Sequence, residues 1–217
     1  MKRSSPRSAF TLVEMLVVMA VIAILTGIIL NLNGLVQQTG ARHRASAEIR
    51  AMSGACEAYK ADNGGYPQDA TLTDSLDPVT NLNPTSGSGY QGSSLFLWQQ
   101  LSGHLAVTET DPTKAPSGTN YASDIFKDTM FSGTKTNNRI TKVIFLQDPF
   151  GNSYGYSTAG LAAEQAYKAD LISKGTATRP AVQKGYNPSF DLWSTAGAST
   201  VQSATGADVH GKWVKNW

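Results

Sequence analysis

Residues 10–30 read FTLVEMLVVMAVIAILTGIIL, an apolar run of 21 residues interrupted by Thr11, Glu14, Thr26 and Gly27. At a rise of about 1.5 Å per residue, a helix of that length is about 31 Å long, which matches the hydrocarbon core of a bilayer. The segment therefore reads as a spanning helix. Ahead of it, Met1 to Ala9 (MKRSSPRSA) carries Lys2, Arg3 and Arg7 and no acid. Those cations hold the leader on the cytoplasmic side and send the C-terminus outward, opposed by Arg42, Arg44 and Arg50, which lie further from the apolar edge. Three fates compete: a cleaved secretory signal, an uncleaved anchor, and a leader cut between Ala9 and Phe10. A secretory signal needs an apolar region of about 7–15 residues with a small-x-small site close behind it. Ala45-Ser46-Ala47 has that form, but it lies well past the apolar run and behind Arg42, His43 and Arg44.

Glu14 separates the other two fates. A charge inside a spanning helix costs about 2.5–3.5 kcal/mol on insertion scales, so it is expected where a partner or a function repays it. Cutting before Phe10 would create an α-amino group one helical turn from Glu14, on its own chain or on a neighbouring subunit. If the counter-ion is a neighbour's, burial of Glu14 depends on assembly. In an uncleaved anchor, Glu14 would instead snorkel to the cytoplasmic interface.

The remainder of the 217-residue chain is polar and rich in Gly, Ser, Thr and Asn. Charged residues make up 16% and the formal net charge is +2, which leaves no basic surface of the kind nucleic acids select. One cysteine, Cys56, excludes an intramolecular disulfide framework. His43, His104 and His210 have no carboxylates or thiols at ligand spacing and read as surface or helix-face residues. No Gly-x-Ser-x-Gly, His-Glu-x-x-His, Walker loop or dinucleotide fingerprint occurs.

Helical pattern continues past Leu30 to about Asp62, with Gly34 and Gly40 as weak points. Ala45, Ile49, Met52, Cys56 and Tyr59 recur at spacings of 4, 3, 4 and 3, one apolar stripe. Cys56 reads there as a small buried hydrophobe. Arg44, Glu48, Arg50, Glu57 and Lys60 form the face expected in solvent. Asn63-Gly64-Gly65 ends the helix and Pro67 prevents its restart. From Tyr66 to about Asn138 the chain is turn-rich, with one short helix expected over Ser94–Ser102. Strands are expected at 139–147 and 153–158 around a turn at Asp148-Pro149-Phe150-Gly151-Asn152, and again at 190–194 and 212–217. Leu161–Lys174 reads as a helix stopped by Gly175. Trp193, Trp213 and Trp217 read as core between a thin sheet and the long helix, with a carbohydrate- or peptide-binding surface as the alternative.

Ala9-Phe10-Thr11-Leu12-Val13-Glu14-Met15-Leu16-Val17-Val18 resembles the cleavage and methylation motif of type IV prepilins and type II secretion pseudopilins, with Ala9 where those families usually have Gly. The blocks at 59–67 (YKADNGGYP), 148–156 (DPFGNSYGY) and 190–194 (FDLWS), and Ala207-Asp208-Val209 with Asn216-Trp217, are similar to the major pseudopilin of type II secretion. The intervals 70–138 and 159–187 look like insertions. The resemblance implies cleavage between Ala9 and Phe10 by a membrane prepilin peptidase, N-methylation of Phe10, and an assembly role for Glu14. It also implies an α+β, pilin-like fold: a leader at 1–9, a transmembrane and assembly helix at 10–32, and a periplasmic domain at 33–217 in which the long helix packs on a small antiparallel sheet.

The implied function is that of a structural, non-enzymatic subunit anchored in the bacterial inner membrane and assembled into a filament. The implied partners are further copies of the chain, the prepilin peptidase, the inner-membrane assembly platform, minor pseudopilins and membrane lipid, with no nucleic acid. A type IV pilin for adhesion, motility or DNA uptake, and an anchored binding protein that never polymerises, stay open beside it. Relatives in the family hold calcium in the loop after the Phe-Asp-x-Trp-Ser strand. Here Ser199 stands where that pattern has an Asp, leaving Asp208 and Asp191 as the only nearby carboxylates for a cation that takes about 6–8 oxygens.

Overall fold

The computed structural model describes residues 11–81, 84, 88–106, 108–179, 183–197 and 210–217, with the side chains of 28–35, 88 and 210 outside the description. The fold is α+β: one long helix, α1 (Leu12–Asn63), followed by α2 (Ser88–Ser102), a hairpin of β1 (Phe131–Thr136) and β2 (Arg139–Leu146), then β3 (Gly155–Ser157), α3 (Ala159–Lys174), β4 (Asp191–Ser194) and β5 (Val214–Lys215). The chain divides into two units, Met1–Ala41 and Arg42–Trp217.

In the second unit the expected stripe is the buried face of α1. Ala45, Ile49, Met52 and Cys56 are buried, Ala55 joins them, and Tyr59 packs at the margin. The helix ends where Gly64, at φ +78°, donates its N–H to the Lys60 carbonyl, a left-handed cap that glycine adopts without a Cβ penalty. Against this face lie Leu97, Trp98 and Leu101 of α2, Val143 and Leu146 of β2, and Tyr154, Tyr156 and Leu192 around β3 and β4. Glu48 departs from the solvent-facing expectation. One carboxylate oxygen accepts the Tyr154 hydroxyl at 2.6 Å while the other pairs with Arg44 at 3.2 Å.

The described residues of the interval 70–138 supply more regular structure than its composition suggests. The helix expected over 94–102 starts earlier, at Ser88, and packs on β2 and β3. Strand β1 lies in a stretch read as turn-rich. Its only local signal is Asn137-Asn138, both left-handed at φ 51° and 61°, the backbone of a two-residue hairpin turn. β1 pairs antiparallel with β2 from Phe131↔Leu146 to Thr136↔Arg139, with irregular steps at Ser132/Gly133 and Thr134/Lys135. The second sheet is antiparallel in the order β3-β4-β5. Its last strand is shorter than the expected 212–217, because His210–Lys212 is a 3-10 turn.

Trp193, Trp213 and Trp217 form a second cluster, apart from the one that packs Trp98 against α1. Trp193 and Trp213 stack at 5.8 Å and pack with Leu76 and Tyr90, and Trp217 closes the margin. At 0% and 4% exposure, Trp193 and Trp213 offer no face to a ligand.

Candidate functional site

The start of α1 is built by two residues. The Thr11 N–H donates to Glu14 Oε2 at 2.7 Å and the Thr11 hydroxyl donates to the same oxygen at 2.9 Å; in return the Glu14 N–H reaches the Thr11 hydroxyl oxygen at 3.3 Å. This is a reciprocal capping box, which satisfies helix-end N–H groups that have no intrahelical acceptor. No cation among the described residues pairs with Glu14. Beyond it, the large apolar side chains from Leu12 to Leu25 are exposed, Leu12 at 81% and Ile24 at 64%. An exposed apolar surface of this kind marks a protein or lipid contact. The arrangement can therefore present a carboxylate, held by its own helix cap, at the mouth of an apolar seam.

Ala9 and Phe10 lie outside the described residues. Among the described residues no helix is long and apolar enough to cross a membrane.

The residues named for calcium are divided. Ser199 and Asp208 lie outside the described residues. Asp191 is 1% exposed, and its two oxygens accept the backbone N–H groups of Tyr186 at 2.8 Å and Asn187 at 2.9 Å. Burial pushes its carboxyl up to about 6, with those hydrogen bonds working against the rise and the nearby Asp77 adding to it. In the described structure Asp191 holds the 185–187 loop, to which Asp77 also binds through the Gly185 N–H at 3.1 Å. Among the described residues no three His, Cys, Asp or Glu side chains gather closely enough to hold a metal ion.

Two further residues carry roles that sequence patterning missed. Asp148, read only as part of a turn, is buried. Its Oδ1 accepts the N–H groups of Phe150 and Asn152 while Oδ2 accepts the Ser194 hydroxyl, so it fixes the turn to β4. Burial raises its carboxyl above the ordinary range. His104, expected at the surface, is 4% exposed; its Nδ1 meets the Ser102 hydroxyl at 2.9 Å, its Nε2 meets the Lys114 carbonyl at 3.2 Å, and its ring stacks on Trp98. It ties the loop after α2 to the core. Cys56 is fully buried and its thiol is raised well above the ordinary range by desolvation.

Comparison with known proteins returns one finding at this site. The family described as the prokaryotic N-terminal methylation motif matches residues 4–30, a span that includes Ala9, Phe10, Thr11 and Glu14. The match covers the leader and the apolar run and none of the domain beyond. No curated protein and no solved structure matches the chain.

Proposed function

We propose that this chain is the structural subunit of a type II secretion pseudopilus, held in the inner membrane by residues 10–32 and polymerised through them to support protein export. The observation that carries the reading is the apolar, exposed start of α1 with a carboxylate at its mouth, inside a methylation motif. Prepilin peptidase would cut between Ala9 and Phe10, and the Phe10 amine would be methylated. Subunits would wait in lipid with residues 33–217 in the periplasm until the assembly platform and minor pseudopilins draw them into the filament. There, Glu14 exchanges its own cap for the Phe10 amine of a neighbouring copy. The turn at 148–152 and the FDLWS strand support the secretion assignment by their likeness to pseudopilin blocks. A type IV pilin is the second reading, favoured by the interval 70–138, whose described residues add α2 and β1 and would suit surface display.

The test separates membrane level from assembly. Glu14→Val removes a charge that insertion disfavours, so the mature chain should reach the membrane as well as wild type. Filaments should fall, because the Phe10 amine enters the seam without its counter-ion, a loss of about 3–5 kcal/mol for a broken buried pair. Equal filament yield would remove the pairing mechanism. Retention of Met1 on the accumulated protein, read by intact mass, would remove the filament-subunit assignment.

A further inference from the structure

We propose that Asn63, the last residue of α1, is a site of spontaneous deamidation and that its contact with Tyr121 sets the rate. Asn63 is exposed and is followed by Gly64 and Gly65. It lies within the Arg42–Trp217 unit and is separate from the start of α1.

An asparagine before a glycine is chemically labile, because glycine has no side chain to shield its backbone nitrogen. The Gly64 nitrogen attacks Cγ of Asn63 and the bond from Cγ to Nδ2 breaks. The Gly64 N–H proton leaves on the departing amide as ammonia, and a five-membered imide joins the two residues. Water then opens the imide at either carbonyl, giving aspartate at one and isoaspartate at the other. A Cβ built on Gly64 or Gly65 would meet nothing within 4 Å, so the space beside both residues is open to the ring and to water.

Three hydrogen bonds oppose the first step. The attacking nitrogen donates its proton to the Lys60 carbonyl at 2.8 Å. The leaving amide donates through Nδ2 to the Tyr59 carbonyl at 2.9 Å and to the Tyr121 hydroxyl oxygen at 3.0 Å. The first two bonds belong to the last turn of the helix, and helix ends open at low free energy. The third comes from 58 positions away and is held by tertiary structure. The Tyr121 ring meets Tyr59 edge-on at 5.4 Å, and the Tyr121 N–H donates to the Leu101 carbonyl at 2.8 Å. Tyr121 therefore holds the amide when the last turn frays.

Conversion changes the helix end. Neither product has an N–H for the Tyr59 carbonyl, and each adds a negative charge beside Asp62 at a helix C-terminus, where the dipole disfavours it. Isoaspartate also lengthens the backbone by one carbon just before Gly64 makes its left-handed turn at φ +78°. The end of α1 loosens as the chain ages.

The experiment holds the full chain in detergent in mildly alkaline buffer, with and without unfolding urea, and follows Asn63 by peptide mass mapping. Enzymatic methylation of the isoaspartyl carboxyl tells the two products apart, and Asn33, the other asparagine before a glycine, is the reference in the unfolded chain. Asn63 should convert more slowly in the folded chain than in the unfolded one. Tyr121→Phe should speed the folded-state conversion about two- to tenfold, the range for one neutral hydrogen bond, and leave the unfolded rate unchanged. Slow maleimide labelling of Cys56 shows that the variant keeps its core. A second arm raises urea on the wild type below its unfolding transition, where Asn63 conversion should rise while Cys56 stays protected. Equal rates in the folded and unfolded chains, a folded-state rate that Tyr121→Phe leaves unchanged, or conversion that waits for Cys56 to open would overturn the proposal.

Discussion

The Tyr154 hydroxyl donates to the Glu48 carboxylate at 2.6 Å, joining the residue that precedes β3 to the middle of α1 across 106 positions of sequence. Arg44, one turn earlier on the helix, pairs with the other oxygen of the same carboxylate. The contact anchors the β3 end of the three-stranded sheet to the helix by a charge-assisted bond beside an apolar interface. Desolvation together with Glu48 raises the Tyr154 phenol far above its ordinary range, which keeps the hydroxyl protonated as the donor.

Tyr154→Phe should therefore destabilise the domain by about 1.5–3 kcal/mol, the range for a hydrogen bond to a charged group. Glu48→Gln should cost less, because an amide oxygen still accepts the hydroxyl. A double-mutant cycle by urea unfolding of the detergent-solubilised chain measures the coupling, and additive single effects would show that the two groups act independently.

Cys56 should be chemically quiet. It is fully buried on the apolar stripe, and desolvation disfavours the thiolate that reacts with alkylating reagents. Maleimide should label the native chain slowly at pH 8 and label the urea-unfolded chain at once. Rapid labelling of the folded chain would mean that this face of α1 opens to solvent.

Gly155→Ala should be among the more costly single-methyl changes in the chain. A Cβ at Gly155 would overlap the indole of Trp193, its partner across β3 and β4. Trp193 cannot retreat easily, because Trp213 stacks on it and its Nε1 donates to the Tyr90 hydroxyl. A loss of about 1–3 kcal/mol is expected for such overpacking, with a change in near-ultraviolet circular dichroism from the tryptophan cluster. An unchanged spectrum and melting temperature would show that the sheet shifts to accommodate the methyl group.

Asp191 should give stability a specific pH dependence. Its carboxyl is raised to about 6 in the folded chain, while an unfolded Asp titrates near 3.9. Between those values the folded state binds more protons, so the Asp191 contribution is largest below about pH 4 and falls as pH rises to about 6. Asp191→Asn lacks this titration and leaves one loop N–H without a good acceptor, a cost of about 1–3 kcal/mol. The difference in unfolding free energy between wild type and Asp191→Asn should shrink from pH 4 to pH 7.5. A difference that grows over the same range would mean that the hydrogen bonds from Tyr186 and Asn187 outweigh burial.

Sequence alone was sufficient for the parts whose physics is local. The apolar run of residues 10–30, the stripe from Ala45 to Tyr59, the stop at Asn63-Gly64 and the stop at Gly175 depend on spacing within one helix and on backbone freedom at a single glycine. Those are properties of neighbouring residues, and they carried over into α1 and α3 with shifts of one or two positions. Strand β1 was not legible, because Phe131–Thr136 alternates with few apolar residues and gains its strand geometry from pairing with β2. The same reason covers the polar residues. Whether Glu48 faces water or a tyrosine, whether the carboxylates of Asp148 and Asp191 are exposed or buried among backbone N–H groups, and whether His104 lies outside or beneath Trp98 all depend on which distant segment covers them. Burial of a polar side chain is decided by contacts made across tens of residues, after collapse has brought those segments together. The sequence names the side chain that must be satisfied, and only the tertiary structure names its partner.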